Sequence, residues 1–372
     1  METCYGDVPL EAGIRSRRID GVNGLSMHIL EAGYRPPGQP LVLLLHGFPE
    51  LAFSWRKLLP LLADRGYHVI APDQRGYGAT SGWEADYDCD LAPFRLSHLV
   101  SDIVALLAAL EQQHVAAVVG HDFGSPVAAW CALLHPDLFG CVALLSAPFA
   151  GPPRRLDDPW PRIDAALAAL EPPRKHYQRY YATREAGADL YTSPQGLSAF
   201  LRAYFHCKSH DWPPNQPHQL KSWRADDLAI LPRYYVMDLD KGMAATAADM
   251  APSAEEAEGC TWLTDAELAV YVREFGRTGF QGGLNWYRNA FDAAAVAELQ
   301  AFEGRRIEVP ACFVAGRSDW GTYQSPGALA AMTSACTSLA GPYFIEEAGH
   351  WVQQEQPQRL NETLSKFLAQ AL

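Results

Sequence analysis

The 372-residue sequence predicts an α/β fold: a mostly parallel, twisted sheet with helices on both faces. Three observations predict it. Short apolar runs of strand length recur along the chain, helical patterns separate them, and each run stops at a Gly, Pro or polar turn.

The elements follow in order. Arg17–Ile19 and Leu25–Glu31 flank Asn23-Gly24, a hairpin signal. LVLLLHG (Leu41–Gly47), HVIAPD (His68–Asp73), VAAVVG (Val115–Gly120) and CVALLSA (Cys141–Ala147) read as strands buried on both faces. Helical patterns at Ser54–Asp64, Ser97–Gln113 and Pro126–Leu134 supply the crossovers that a parallel sheet requires. The alternation resumes with ACFVAG (Ala311–Gly316), a helix near Gly327–Thr333, the strand YFIEEA (Tyr343–Ala348) and a helix from Gln356 to Leu372. Between them, residues 150–302 carry proline-rich links (GPPRR, EPPRK, DWPPNQP), helical segments and few strand candidates. The reading is a core of residues 1–149 and 303–372, with a mainly helical cap at 150–302 inserted after the sixth core strand. Met237–Cys260, rich in Ala and Glu, reads as a long loop.

Composition narrows the function. With 48% hydrophobic and 20% charged residues the chain is globular. A net charge of −13 repels phosphate backbones and anionic lipid, so neither nucleic acid nor a membrane is the expected partner. No apolar run reaches the roughly 18 residues of a membrane span, and the N-terminal stretch lacks the layout of a signal peptide, so the expected location is cytoplasmic. The eight cysteines are scattered. Cys131, Cys141 and Cys312 sit in apolar runs as buried thiols, and no metal or other cofactor is expected.

In open α/β sheets the site lies at the carboxyl ends of the strands. Those ends read HGFPE (His46–Glu50), DQRGYG (Asp73–Gly78), GHDFG (Gly120–Gly124), GRSD (Gly316–Asp319) and AGH (Ala348–His350). GHDFG has the form of a nucleophile elbow, whose tight turn demands small neighbours. Asp122 stands at its centre, where a serine would need a base. A carboxylate is ionised at neutral pH but weakly nucleophilic, which suits displacement at an sp³ carbon with a strained or good leaving group. Backbone N–H groups of Phe48 and Phe123 are placed to form an oxyanion hole. Asp319 and His350 complete the order nucleophile, acid, histidine: His350 as base on a water, Asp319 orienting it.

Together these motifs, with SWR (Ser54–Arg56), VPACFVAGRSDWG (Val309–Gly321) and EAGHW (Glu347–Trp351), resemble the soluble epoxide hydrolase branch of the α/β-hydrolase superfamily, from about Arg18 to the last helix. HYQRYY (His176–Tyr181) and GFQGGLNWYRN (Gly279–Asn289) resemble the cap segments that carry the family's ring-opening tyrosines. By that resemblance they fall on Tyr177 and Tyr287. Register in HYQRYY leaves Tyr180 and Tyr181 open as alternatives. The resemblance implies a cofactor-free enzyme that converts an epoxide and water to a vicinal diol through an ester on Asp122. Glu50 and His121 would then position or relay protons for the hydrolytic water, while Asp73 and Arg75 are structural and Trp320 and Trp351 pack beneath the triad. The aromatic cap suggests an apolar or aryl small-molecule epoxide; monomer and homodimer stay open. The alternative is a haloalkane or haloacid dehalogenase on the same core. Against it, Phe123 stands where an indole N–H would hold halide, a position at which the family commonly has Trp.

Overall fold

In the computed structural model, which describes residues 4–6, 8–154 and 158–372, the expected strands form one eight-stranded sheet. Met1–Thr3 of the N-terminal stretch and Arg155 of the GPPRR link lie outside the described residues. We number the strands of this sheet β1 (Arg15–Val22), β2 (Leu25–Ala32), β3 (Leu41–Leu45), β4 (His68–Pro72), β5 (Ala117–His121), β6 (Val142–Leu145), β7 (Ala311–Gly316) and β8 (Leu339–Ile345). Their order across the sheet is β8-β7-β6-β5-β3-β4-β2-β1. The β1–β2 and β2–β4 pairs are antiparallel, and the others are parallel. Sequence order reverses where β3 lies between β4 and β5, so the crevice beyond their carboxyl ends is the expected site.

The helices that flank the sheet are α1 (Leu59–Ala63), α2 (Leu96–Ala109) and α3 (Gly124–Leu134), and the last, Pro357–Ala371, closes the chain. α2 packs with α3, and α1 with the last helix, one pair on each face. This explains why β3, β5, β6 and β7 are wholly buried and, apart from His121 at the end of β5, carry no polar side chain. The helix expected over Ser54–Asp64 is split into a 3₁₀ turn at Ala52–Trp55 and α1. Pro60 explains the break: it is tolerated in a first turn and excluded from a helix interior. β8 begins before the expected Tyr343 and ends at Ile345, pairing in parallel with β7 across an irregularity opposite Phe313.

Between β6 and β7 the described residues form ten helices and one two-stranded ribbon, Arg174–His176 with Val236–Asp238. Three of those helices matter below: α4 (Tyr177–Tyr181), α5 (Leu197–Lys208) and α6 (Gln281–Asn289). The loop expected at Met237–Cys260 is a correction. The segment finishes the ribbon strand and then folds as helices Met243–Ala248 and Ala254–Gly259. Helices of under two turns leave no periodicity to read. Ser253 and Glu256, however, form a reciprocal capping box whose spacing was visible in the sequence. Met243, Ala244 and Ala247 are buried, the first of these helices packing against α5.

Candidate active site

The turn from β5 into α3 carries Asp122 with φ +51, a conformation that a non-glycine residue adopts only where the surroundings enforce it. The enforcement is steric. A Cβ on Gly120 would stand 2.1 Å from the Gly124 carbonyl oxygen, and one on Gly124 would stand 2.2 Å from that of Leu45. Small residues on both sides let the elbow close and lift the carboxylate above the sheet. Asp122 Oδ1 accepts the Phe48 N–H at 2.9 Å, from the loop after β3, where the Phe48–Pro49 bond is cis. The second expected donor, Phe123, stands at the first turn of α3, where helix N–H groups lack intrahelical acceptors.

Beside it stands His350. Its Nε2 lies 3.3 Å from Asp122 Oδ2, and its Nδ1 lies 3.0 Å from Asp319 Oδ1. Gly321 N–H also donates to that Asp319 oxygen at 2.7 Å. All three side chains are buried. Burial alone would raise the Asp122 carboxyl, but the close approach and charge of His350, with Lys208 and His121, hold it well below the usual carboxylate range. Asp319 is lowered in the same way: burial opposes, and His350, Ser146 and the Gly321 N–H prevail. The nucleophile candidate is therefore an anion at any working pH.

Aromatic rings from residues 150–302 pack against this site. Tyr287, from α6, packs edge-on against Phe48 and Phe123 with centroids 5.5 and 5.1 Å apart. Tyr177, which opens α4, stands 6.1 Å from Tyr287, centroid to centroid. Both phenols are pushed well above their ordinary pKa, by burial first and then by the Asp122 charge, so both carry their protons. The register alternatives point elsewhere, Tyr180 O–H donating to Asp189 and Tyr181 O–H to Tyr204. Tyr177 O–H donates to Gln324 at 2.8 Å. For Tyr287 the hydroxyl has no hydrogen-bond partner among the described residues.

Residues 40–357 match the model of the alpha/beta hydrolase fold family. The chain is 34% identical to epoxide hydrolase A of Mycobacterium tuberculosis, with 96% of this chain and 98% of that protein covered. Among solved structures it resembles an epoxide hydrolase from an endophytic Streptomyces (TM-score 0.76, 31% identity, 96% of each chain). It also resembles epoxide hydrolase I of potato, Solanum tuberosum (TM-score 0.74, 28% identity, 96% and 99% covered). The chain belongs to the epoxide hydrolases of the α/β-hydrolase family.

Several supporting residues of this epoxide hydrolase escaped the sequence reading. Ser146, just past β6 and at φ +69, sets its Oγ 2.9 Å from His350 Nδ1. Its signal was a polar residue at a strand end, the same signal that singled out Asp122. Gln324 faces Tyr177, and nothing local marks it. Glu355 accepts N–H groups from Gly349, Trp351 and His210, tying the His350 turn to the cap. Glu50 and His121, expected at the water, contact each other and the His350 main chain. Glu50 Oε2 accepts from His121 Nδ1 at 2.6 Å and from Gly47 N–H, while His121 Nε2 meets the His350 carbonyl at 2.6 Å. Burial opposes charge on both, yet their contact raises His121 and lowers Glu50, so they form a buried ion pair. Gln353 donates to Glu50 from the other side. Asp73 gathers Tyr5, His28 and the Ala52 and Ala79 N–H groups, and Arg75 pairs with Asp102. Trp351 packs on His350 and His121, while Trp320 packs on His218. Among the described residues no helix is long and apolar enough to cross a membrane.

Proposed function

We propose that this epoxide hydrolase opens its substrate with Asp122 and forms a vicinal diol through a covalent hydroxyalkyl ester. One observation carries the reading: a buried, ionised carboxylate at the elbow, with one oxygen on the Phe48 N–H and the other against His350, beneath two protonated phenols. Asp122 Oδ2 attacks an epoxide carbon from the side opposite the breaking C–O bond. The departing oxygen takes a hydrogen bond and then a proton from Tyr287, with Tyr177 assisting; such donation is worth roughly 10²–10⁴ in rate. His350, oriented by Asp319, then removes a proton from water, and the hydroxide adds to the ester carbonyl. Oδ1 becomes the oxyanion, held by the Phe48 and Phe123 N–H groups, each worth about 10²–10³. Collapse releases the diol and regenerates Asp122, and the proton on His350 returns through the alkoxide and phenol. Glu50 and His121 serve the water step by fixing the His350 main chain.

Residues 150–302 act in this reading as a cap over a core of 1–149 and 303–372, and the aromatic chamber suits an apolar or aryl epoxide. A dehalogenase would need an indole donor for halide, and the neighbouring Trp286 N–H is already given to the Arg75 carbonyl at 3.1 Å. The test is the intact mass of a His350→Gln variant exposed to aryl and alkyl epoxides, with a matched haloalkane alongside. An adduct equal to the whole epoxide, mapped to Asp122, is expected. An adduct from the haloalkane alone, lighter by one hydrogen halide, would replace this reading with dehalogenation.

A further inference from the structure

At the end of α5, Lys208 is a buried residue, 3% exposed, whose ammonium has no protein acceptor among the described residues: none lies within hydrogen-bond distance of its Nζ. Four ring faces surround it instead: Tyr204 at 5.2 Å, Tyr234 at 5.9 Å, Tyr235 at 5.1 Å and Trp351 at 5.5 Å. Such faces recover part of a cation's lost hydration, but they accept none of its three N–H donors, which stay open to water or to a ligand.

Its position links this defect to the chemistry. The Lys208 carbonyl accepts the His350 N–H at 2.9 Å, so one backbone contact places both residues. Of the four rings, Trp351 backs His350 at 4.5 Å and Tyr235 backs Tyr177 at 5.1 Å. The ammonium thus occupies the seam between the core base and the cap phenol. The nearby carboxylates are committed elsewhere, Asp319 to His350 and the Gly321 N–H, Asp122 to the Phe48 N–H. Burial alone would lower the lysine's pKa, but Tyr204, Asp122 and Asp319 raise it above the ordinary value. It therefore stays protonated and escapes alkylation by an epoxide.

We infer that Lys208 receives an anionic oxygen brought by the substrate, so that the favoured epoxides carry a carboxylate on the ring carbon or one carbon away. The inference rests on the epoxide-opening reading above and adds the polar end of the substrate to its aryl end. Among these rings an ammonium–carboxylate hydrogen bond is charge-assisted, and the free donors give it direction.

The test compares trans-β-methylstyrene oxide with 3-phenylglycidate and 4-phenyl-3,4-epoxybutanoate in the intact protein and in Lys208→Met. The wild type should prefer at least one carboxylate substrate. Lys208→Met should lose about a hundredfold in kcat/KM for that substrate and at least tenfold less on the neutral epoxide, where only its charge near Asp122 is missed. An equal loss on both would assign the ammonium to the field at Asp122 and overturn the inference, as would a wild type indifferent to the carboxylate. Should Lys208→Met fail to fold, inhibition of the wild type decides: phenylacetate should compete with the neutral epoxide, and its absence of effect would refute the proposal. If instead the wild type hydrolyses no epoxide and traps no ester, the underlying reading fails first.

Discussion

The two sides of the chamber are held by different forces. On the core side Asp122, Ser146, Asp319 and His350 all follow strand ends, and the backbone itself dictates where they point: Asp122 and Ser146 are locked at φ +51 and +69. On the cap side Tyr177, Tyr287 and Lys208 stand on three helices, and ring packing rather than a shared sheet brings them together. Backbone-set groups keep their geometry when a neighbour is truncated. Groups set by packing move with theirs. The core should therefore fail in single chemical steps, and the cap should fail in graded, cooperative ways.

The sharpest break is Asp122→Ala. It leaves every strand end in place and removes the one atom that forms the ester, so steady-state hydrolysis should fall by about 10⁴-fold or more. Turnover above a hundredth of wild type, in a protein with an unchanged melting temperature, would mean that another group attacks the ring. On the cap side, Tyr287→Phe should slow ester formation by about 10²–10³, read by rapid quench, because its hydroxyl is unengaged. Tyr177→Phe should cost less, about tenfold, since its proton rests on Gln324 and must be redirected. Equal losses would show that the two phenols act as one unit.

Titration draws the same contrast. With the Asp122 carboxyl held low and both phenols held high, ester formation should keep its rate from about pH 5 to about pH 10. The signs are plain: a lowered carboxyl stays charged as pH falls, and a raised phenol stays protonated as pH rises. A decline in the ester-forming step within that interval would mean that a phenol or the nucleophile titrates there, and it would dissolve the assignment.

This division also explains what the sequence disclosed. A strand end followed by Gly-x-Asp-x-Gly is a local pattern with a steric cause, so Asp122, Asp319 and His350 could be placed from spacing and order. The cap tyrosines came only through resemblance, because nothing near Tyr177 or Tyr287 announces that a fold will bring them together. Lys208 and Gln324 had no signal at all, since a buried lysine is recognised only by what surrounds it. The short helices in Met237–Cys260 hid for another reason: a helix of six residues has no room for an amphipathic period, and its capping box was the sole mark.

Ser146 gives the smallest expected effect and the finest test of the backbone-set side. Its Oγ lies within hydrogen-bond distance of His350 Nδ1 and helps keep Asp319 ionised, so it supports the imidazole–carboxylate pair. One such neutral hydrogen bond contributes about 1 kcal/mol, which is about a fivefold to tenfold change in rate. Ser146→Ala should therefore slow ester hydrolysis by about that factor. Ester formation, which uses the phenols and not the imidazole, should be untouched, so the covalent ester should accumulate in the variant during turnover. A loss in both steps would mean that the φ +69 turn had relaxed and carried the elbow with it. Ser146→Gly separates these causes, for glycine accepts that φ without strain while lacking the hydroxyl. If alanine and glycine variants slow hydrolysis alike, the hydroxyl matters; if glycine restores the wild-type rate, the turn does.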